Sequence, residues 1–233
     1  MRFIFFCKAA FYGPLPPVLI GGKLIARVHV TKFLGLMIDD RMTWEQHIVN
    51  LCTKLSKLCG ILYVTRKKLT QIALINIYYT LFYSQLSYCI TIWGGTASKY
   101  VNNVYMLQKR FVRAITFTGK FTRTTPIFNA LRILKLYNIY KLFVYVLGYK
   151  YFTQNYCTQN FEVNQNVYGT RRANLLLKIP NTTCIAGSRS IHYKLPSIWN
   201  EFVNSPNCQV ITNSNHVYTF KKSLKTILFN DQM

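Results

Sequence analysis

The sequence predicts an α+β, mainly α protein: a small N-terminal β-hairpin region followed by helices. Three observations carry this. Within the first forty residues, short apolar runs rich in β-branched and aromatic side chains are cut by Gly and Pro. From Trp44 onward, apolar residues recur at steps of three and four. At 233 residues and 51% hydrophobic content, the chain has ample material for a packed core, which excludes wholesale disorder. The expected organisation is β hairpins over 1–40, a helical unit over 41–155, and an irregular connection with terminal helices over 156–233.

In order, Phe3 to Phe6 reads as a short strand that Gly13-Pro14-Leu15-Pro16-Pro17 ends, and Gly21-Gly22 as a hairpin turn. Leu24 to Val30 and Lys32 to Ile38 are the next strand-like runs, the second ending at Asp39-Asp40. Thr43 is placed to cap a helix whose apolar face is Trp44, Ile48, Leu51, Leu55, Leu58 and Leu62. Lys54, Lys57, Arg66, Lys67 and Lys68 lie off that stripe. A second helix is expected from Thr70 to about Tyr88, closed by Gly94-Gly95. A third runs from Tyr100 to Thr116, with Val104, Leu107, Phe111 and Ile115 inward and Lys109, Arg110 and Arg113 on other faces. Thr125-Pro126 starts a fourth, because proline suits the first helical turn, and Leu136 to Tyr151 gives a fifth. Phe152 to Gly187 is rich in Asn, Gln and Thr and reads as irregular, with one strand around Leu175 to Ile179. Lys194 to Val203 and Val217 to Phe229 form the terminal helices.

The charge balance is the outlying feature. Lys plus Arg number 29 against 6 Asp plus Glu, a net +23, spread along the chain rather than gathered in a tail. A folded surface facing a polyanion follows from that, since uncompensated self-repulsion opposes a compact state. Nucleic acid, an anionic membrane and an acidic protein all have the required sign. Basic residues interleaved with tyrosines favour nucleic acid, with Lys and Arg on phosphates and aromatic rings on bases. The uncharged thirty residues from Leu69 to Ser98 are long enough for a membrane span. Thr70, Gln71, Asn76, Thr80, Ser84, Gln85, Ser87 and Thr91 make a buried helix with a polar seam the better reading, and no membrane is expected.

Other chemistry is thin. Seven cysteines form no CxxC pair, so they read as reduced intracellular thiols. Neither His47 with Cys52 and Cys59 nor Cys184 with His192 has zinc-site spacing. Nucleophile elbows and phosphate-cradling glycine loops are absent, and no cofactor is implied. Asp39-Asp40 after a strand invites a two-metal reading, but Glu45, Glu162, Glu201 and Asp231 are its sole companions, so Asp39 is read as a turn or helix-approach residue. Catalytic and metal residues are therefore expected to be none.

The ordered strings carry a resemblance. Thr31-Lys32-Phe33-Leu34-Gly35-Leu36-Met37-Ile38-Asp39, then Met42-Thr43-Trp44 and His47-Ile48, resembles the junction of jockey-like and chicken-repeat-like non-LTR retrotransposon reverse transcriptases. Leu74 to Gly94, with Tyr78-Tyr79, Leu86, Tyr88-Cys89 and Trp93-Gly94, and Leu107-Gln108-Lys109-Arg110 to Arg113-Ala114-Ile115, are similar to later family motifs. So are Tyr168 to Arg171, Arg189-Ser190-Ile191, Tyr193, Ile198-Trp199-Asn200 and Phe220-Lys221.

What the resemblance implies is positional. Residues 1–40 would be the palm end with its primer-grip hairpin, and 41–155 the helical thumb. Phe33, Leu34 and Gly35 would hold a primer 3′ end. Lys54, Lys57, Arg66, Lys67, Lys68, Lys109, Arg110 and Arg113 would contact the phosphates of RNA or an RNA–DNA hybrid. In the family the Ala-Asp-Asp metal box lies before the strand that Phe3 to Phe6 resembles, so polymerisation by this chain alone is not expected. A basic protein-interaction module and a membrane-associated protein are the alternatives, and nothing in the sequence sets the oligomeric state.

Overall fold

A computed structural model describes residues 2–4, 17–154, 161–162, 175–212, 214 and 216–232, and they form the mainly α architecture with a small β region at its start. β1 (Arg2–Phe3) pairs in parallel with β4 (Ala26–Arg27), and β2 (Leu19–Ile20) pairs antiparallel with β3 (Lys23–Leu24). β5 (Val30–Phe33) and β6 (Leu36–Asp39) make the longest hairpin, in the register Val30↔Asp39 to Phe33↔Leu36. Both hairpins turn through two residues of positive φ: Gly21–Gly22 at 57° and 75°, Leu34–Gly35 at 45° and 83°. Such left-handed pairs match the twist of the flanking strands. The single strand expected over Lys32–Ile38 is therefore corrected to two, because Gly35 adopts the left-handed turn without steric cost. The run Leu24–Val30 is likewise broken at Ile25, which is buried and donates its N–H to Val18 O at 2.9 Å. Residues 5–6 and 13–16, on which the first strand and its break were expected, lie outside the described residues.

Asp39 converts the hairpin into the first helix. Its Oδ1 accepts from the backbone N–H groups of Thr43 (2.9 Å) and Arg41 (3.2 Å), and its Oδ2 from Trp44 N–H (2.8 Å). Asp39 thus fixes the turn that leads into the helix, while Thr43 Oγ1 accepts from the N–H of Glu45, the first residue of α1, at 3.3 Å. A side-chain oxygen there meets a donor that the helix start leaves unpaired. α1 (Glu45–Thr65) follows, continued by a 3₁₀ turn at Arg66–Lys68. Its buried stripe is Ile48, Leu51, Leu55, Cys59 and Leu62, each contributing roughly 1–3 kcal/mol of burial.

The return helix starts at Thr70, whose Oγ1 accepts from Ala73 N–H at 3.3 Å. α2 (Gln71–Ile77) runs through a π turn (Tyr78–Tyr83) into α3 (Ser84–Ser87). Leu74, Tyr78, Phe82 and Leu86 are buried at steps of four. In a regular α-helix that stripe would drift around the axis, and the wider π turn offsets the drift. Gln71, Asn76, Thr80 and Ser84 are exposed, so the expected buried helix with a polar seam is corrected to a helix with one buried face. It ends at Tyr88, because Tyr88 is extended and Cys89 left-handed (φ 49°). Among the described residues the one helical stretch with the length and composition to cross a membrane is Glu45–Lys68, and its apolar stripe packs on α5 (Ser98–Ile115).

After α4 (Ile90–Trp93), α5 runs parallel to α1. Tyr100 OH donates to Glu45 Oε2 at 2.7 Å at one end, Cys59 Sγ meets Leu107 O at 3.7 Å midway, and Arg66 Nη1 reaches Ala114 O at 3.5 Å at the other. α1, α2–α3 and α5 therefore form an up-down-up trio. Gln108 of α5 is fully buried at its centre. Its Nε2 donates to Tyr78 OH and to Leu134 O, both at 2.9 Å, and its Oε1 accepts from Leu136 N–H at 2.9 Å.

That last bond anchors the start of α7 (Leu136–Gln154), reached through the short α6 (Thr125–Ala130). α7 is apolar on most sides, the pattern of a helix enclosed by neighbours. It packs on α5, α4, α9 (Ile191–Asn204) and α11 (Val217–Asn230). Gly148 permits the closest approach: a Cβ there would sit 2.3 Å from the Trp199 ring. α8 (Ile185–Arg189) and α10 (Gln209–Thr212) complete the helices. α9 starts three residues before the expected Lys194 and encloses Pro196, because Leu195, Trp199 and Phe202 are buried by that continuation. The strand expected over Leu175–Ile179 is a lone bridge at Leu177. Asn200 supplies the pairing a neighbouring strand would give, its Oδ1 accepting from Leu177 N–H at 2.9 Å and its Nδ2 donating to Leu177 O at 2.7 Å. At the C-terminal end, Gln232 Nε2 donates to Ile133 O and Lys135 N–H donates to Gln232 Oε1, tying the end of α11 to the α6–α7 loop. Buried side chains from Leu36 to Leu228 form one cluster.

Replacing Gln108 with Leu leaves the Leu136 N–H, Leu134 O and Tyr78 OH without partners in the core. The expected loss is about 3 kcal/mol of unfolding free energy, read from urea midpoints. A loss below about 1 kcal/mol would show that the amide is not a node.

Candidate nucleic-acid interface

The hairpin tip is built to project. Phe33 is 60% exposed and Leu34 73% exposed, and Leu34 adopts a left-handed φ that leucine rarely takes. The strain is met from outside the hairpin: Tyr88 OH donates to Leu34 O, and the Tyr88 ring lies where a Cβ on Gly35 would be 3.5 Å away. Tyr88 is held in turn by the Trp93 indole N–H, which donates to Tyr88 O at 2.9 Å. The helix break at Tyr88–Cys89 is thus what sets the tip. The sequence marks Tyr88 as a helix end and Tyr88-Cys89 as a motif but not this brace, since the contact spans 54 positions and depends on a left-handed Cys89.

The cations distribute along α1 and α5. Lys54 and Lys57, three apart, are exposed on one side of α1, and Lys67 and Lys68 are exposed in the turn after it. Arg66 is half-buried: its guanidinium lies 4.1 Å from the Tyr63 ring and 4.9 Å from the Phe117 ring, and its Nε is buried without a partner. That packing makes Arg66 a joint between the ends of α1 and α5. On α5, Arg110 is exposed, Lys109 Nζ lies 4.4 Å over Tyr105, and Arg113 donates through Nε and Nη2 to Thr122 O at 3.0 and 2.9 Å.

Because α1 and α5 are parallel, Arg66, Lys67 and Lys68 share one end of the trio with Arg110 and Arg113. All but Arg110 lie in the last turn of their helical segment, where the dipole favours positive charge. Phe33, Leu34 and Gly35 lie beside the first turns of α1, about 30 Å away by the rise of some twenty helical residues. Lys54 and Lys57 lie midway along α1 and Lys109 lies over Tyr105, so the candidate cations are spread along the pair and the hairpin tip stands apart from those at its far end. Acidic groups gather at the tip's end: Asp40 faces His29 (2.7 Å) and Arg27 (3.7 Å), and Glu45 accepts from Tyr100.

Titratable groups inside the trio are structural. Burial pushes the Cys59 thiol up to about 11, with the Arg110 charge opposing, so this thiol is poorly nucleophilic. Burial, then the positive charge of Lys54, holds His47 below the ordinary imidazole range. Its ring lies 6.0 Å from that of Trp93.

A basic helical trio with a protruding hairpin is the class that fold and surface define. Over about half of its length the chain is similar to retrotransposon reverse transcriptases, as its motifs led one to expect. It is 29% identical over 128 residues to the RNA-directed DNA polymerase from mobile element jockey of Drosophila melanogaster, which covers 53% of this chain and 14% of the relative. The corresponding jockey enzyme of Drosophila funebris is 30% identical over 125 residues, 52% of this chain and 14% of the relative. The probable RNA-directed DNA polymerase from transposon X-element of Drosophila melanogaster is 25% identical over 126 residues, again 53% and 14%. The matches thus span about one seventh of those relatives' length. No family model matches the chain, and no solved structure matches it significantly. Tyr168 to Arg171 of the motif series lie outside the described residues.

His47 gives a pH prediction. The folded state holds it neutral, so stability is full above the unfolded pKa near 6.5 and is lost as pH falls from there through the lowered folded value. Lys54→Gln removes the secondary cause, and an NMR titration should show the His47 pKa rising toward that of a free imidazole. No change would place the Lys54 charge elsewhere.

Proposed function

We propose that this chain grips a template–primer nucleic acid, as the primer-grip and thumb-type part of a retrotransposon RNA-directed DNA polymerase, with RNA or an RNA–DNA hybrid as its partner. The observation that carries the reading is the parallel α1–α5 pair, which holds Lys67, Lys68, Arg110 and Arg113 at one end while Lys54 and Lys57 extend the charge along α1. From Lys54 to Lys67 the row is about 20 Å long, enough to pass several phosphates of a strand spaced about 3.4 Å apart along the helix axis. Such contacts set register and orientation without reading sequence.

The apolar tip is suited to a different contact. Phe33 and Leu34 offer a surface for a ribose or base, and the turn at Gly35 lets the backbone come close to a strand end. Chemistry is not assigned to these residues. Both oxygens of Asp39 are occupied by backbone N–H groups and Asp40 faces Arg27 and His29, which supports reading the pair as structural rather than as metal ligands.

Neutralising Lys54, Lys57, Lys67 and Lys68 to Gln tests the reading in a fluorescence-anisotropy titration with an RNA–DNA hybrid across a salt series. The log–log salt slope should become shallower by about 3.6, roughly 0.9 for each of the four phosphates no longer neutralised. An unchanged slope would remove these lysines from the interface.

A further inference from the structure

Beyond the duplex-facing row lies a built cleft of about 520 Å³ between α5 and the loop leading into α6, lined by Lys109, Arg113, Phe121, Arg123, Thr124 and Pro126 among others. Three of those side chains are cationic and none is acidic. Phe121 is 92% exposed, although its neighbours are ordered by specific bonds. Arg113 clamps Thr122 O through two nitrogens, Thr122 N–H closes a turn onto Gly119 O at 3.1 Å, and Thr118 N–H donates to Arg113 O at 3.1 Å. Thr124 is buried beneath the loop. The phenyl ring stands in water apart from Lys120, whose Nζ lies 5.7 Å from its centroid, and so forgoes burial that a packed Phe would gain. Its position beside the cations accounts for the arrangement if the ring is a stacking platform.

We infer that this cleft takes an unpaired nucleotide of a single strand, its base stacked on Phe121 and its phosphate held by Lys109 and Arg123. Arg113, both of whose donating nitrogens face Thr122 O, shapes the loop. The cleft needs polyanion and aromatic face together, which a single-stranded nucleic acid supplies and a duplex, with its bases stacked internally, does not. The inference rests on the nucleic-acid reading above and deepens it: α1 tracks paired strands, and the loop captures an adjoining unpaired one.

The test compares a blunt RNA–DNA hybrid with the same hybrid carrying a short single-stranded template overhang. For the unaltered chain the overhang should tighten binding about tenfold, the worth of one stacked base. Phe121→Ala should abolish that preference while leaving blunt-hybrid affinity unchanged. Phe121→Trp should restore it and add a solvent-exposed indole, distinct from the buried Trp44, Trp93 and Trp199, whose fluorescence an oligouridine or oligothymidine quenches. No overhang preference, or Phe121→Ala weakening both ligands equally, overturns the cleft. Failure of the blunt hybrid to bind overturns the duplex grip instead, while quenching of the added indole in the Phe121→Trp chain by the oligonucleotide still decides the cleft.

Discussion

A single buried amide joins the pieces of this fold. Gln108 sits at the centre of α5 with no exposure, and its hydrogen bonds reach Tyr78 on the π turn, Leu134 in the loop after α6 and Leu136 at the start of α7. Two chain segments, one 30 positions before it and one 26 to 28 after it, are therefore held against α5 by one side chain whose amide nitrogen and oxygen both find partners. A buried polar group of this kind is costly when unmet and specifying when met. It fixes the rotation of α5, and that rotation decides which cations of α5 face outward.

From that constraint the charge geometry follows. With Val104, Gln108 and Phe111 inward, Arg110 is turned to the surface beside α1, and Arg113 is turned toward the loop it clamps. The parallel run of α1 and α5 puts their C-termini side by side, so Arg66 can wedge between Tyr63 and Phe117 and leave Lys67 and Lys68 free to face solvent. Asp39 does the equivalent work at the opposite end, where three backbone donors fix the hairpin against the start of α1. The two ends differ as a result: a projecting apolar tip flanked by acids and cations alike at one, cations set against aromatic rings at the other.

Much of this was legible in the residues. The three-and-four spacing from Ile48 to Leu62 and from Val104 to Ile115 marked the core faces, and the proline of Thr125-Pro126 marked a helix start within one residue. The order of the motifs pointed to reverse transcriptases, and the jockey and X-element similarities agree. What was not legible depends on long-range partners. Thr43 accepts from Glu45 N–H, but that Asp39 holds the turn before the helix, through a reach of five residues to Trp44, could not be read locally. Leu177 looked like strand, yet its backbone pairs with the Asn200 side chain. Tyr88-Cys89 stood out as a motif at a helix end, yet the brace it forms beneath the hairpin tip rests on a contact 54 positions away and could not be seen. Among the candidate cations, spacing placed Lys54 and Lys57 off the core but could not show that Arg66 and Arg113 turn their guanidinium groups onto the protein itself.

The central claim is that one face of the α1–α5 pair, together with the β5–β6 tip, meets nucleic acid. Hydrogen–deuterium exchange of the full chain with and without an RNA–DNA hybrid tests it most directly. The account predicts slowed exchange at Phe33 to Leu36 and at Thr65 to Leu69, with α9 and α11 unchanged. Protection confined to α9 and α11, or none under conditions where the hybrid binds, would contradict it.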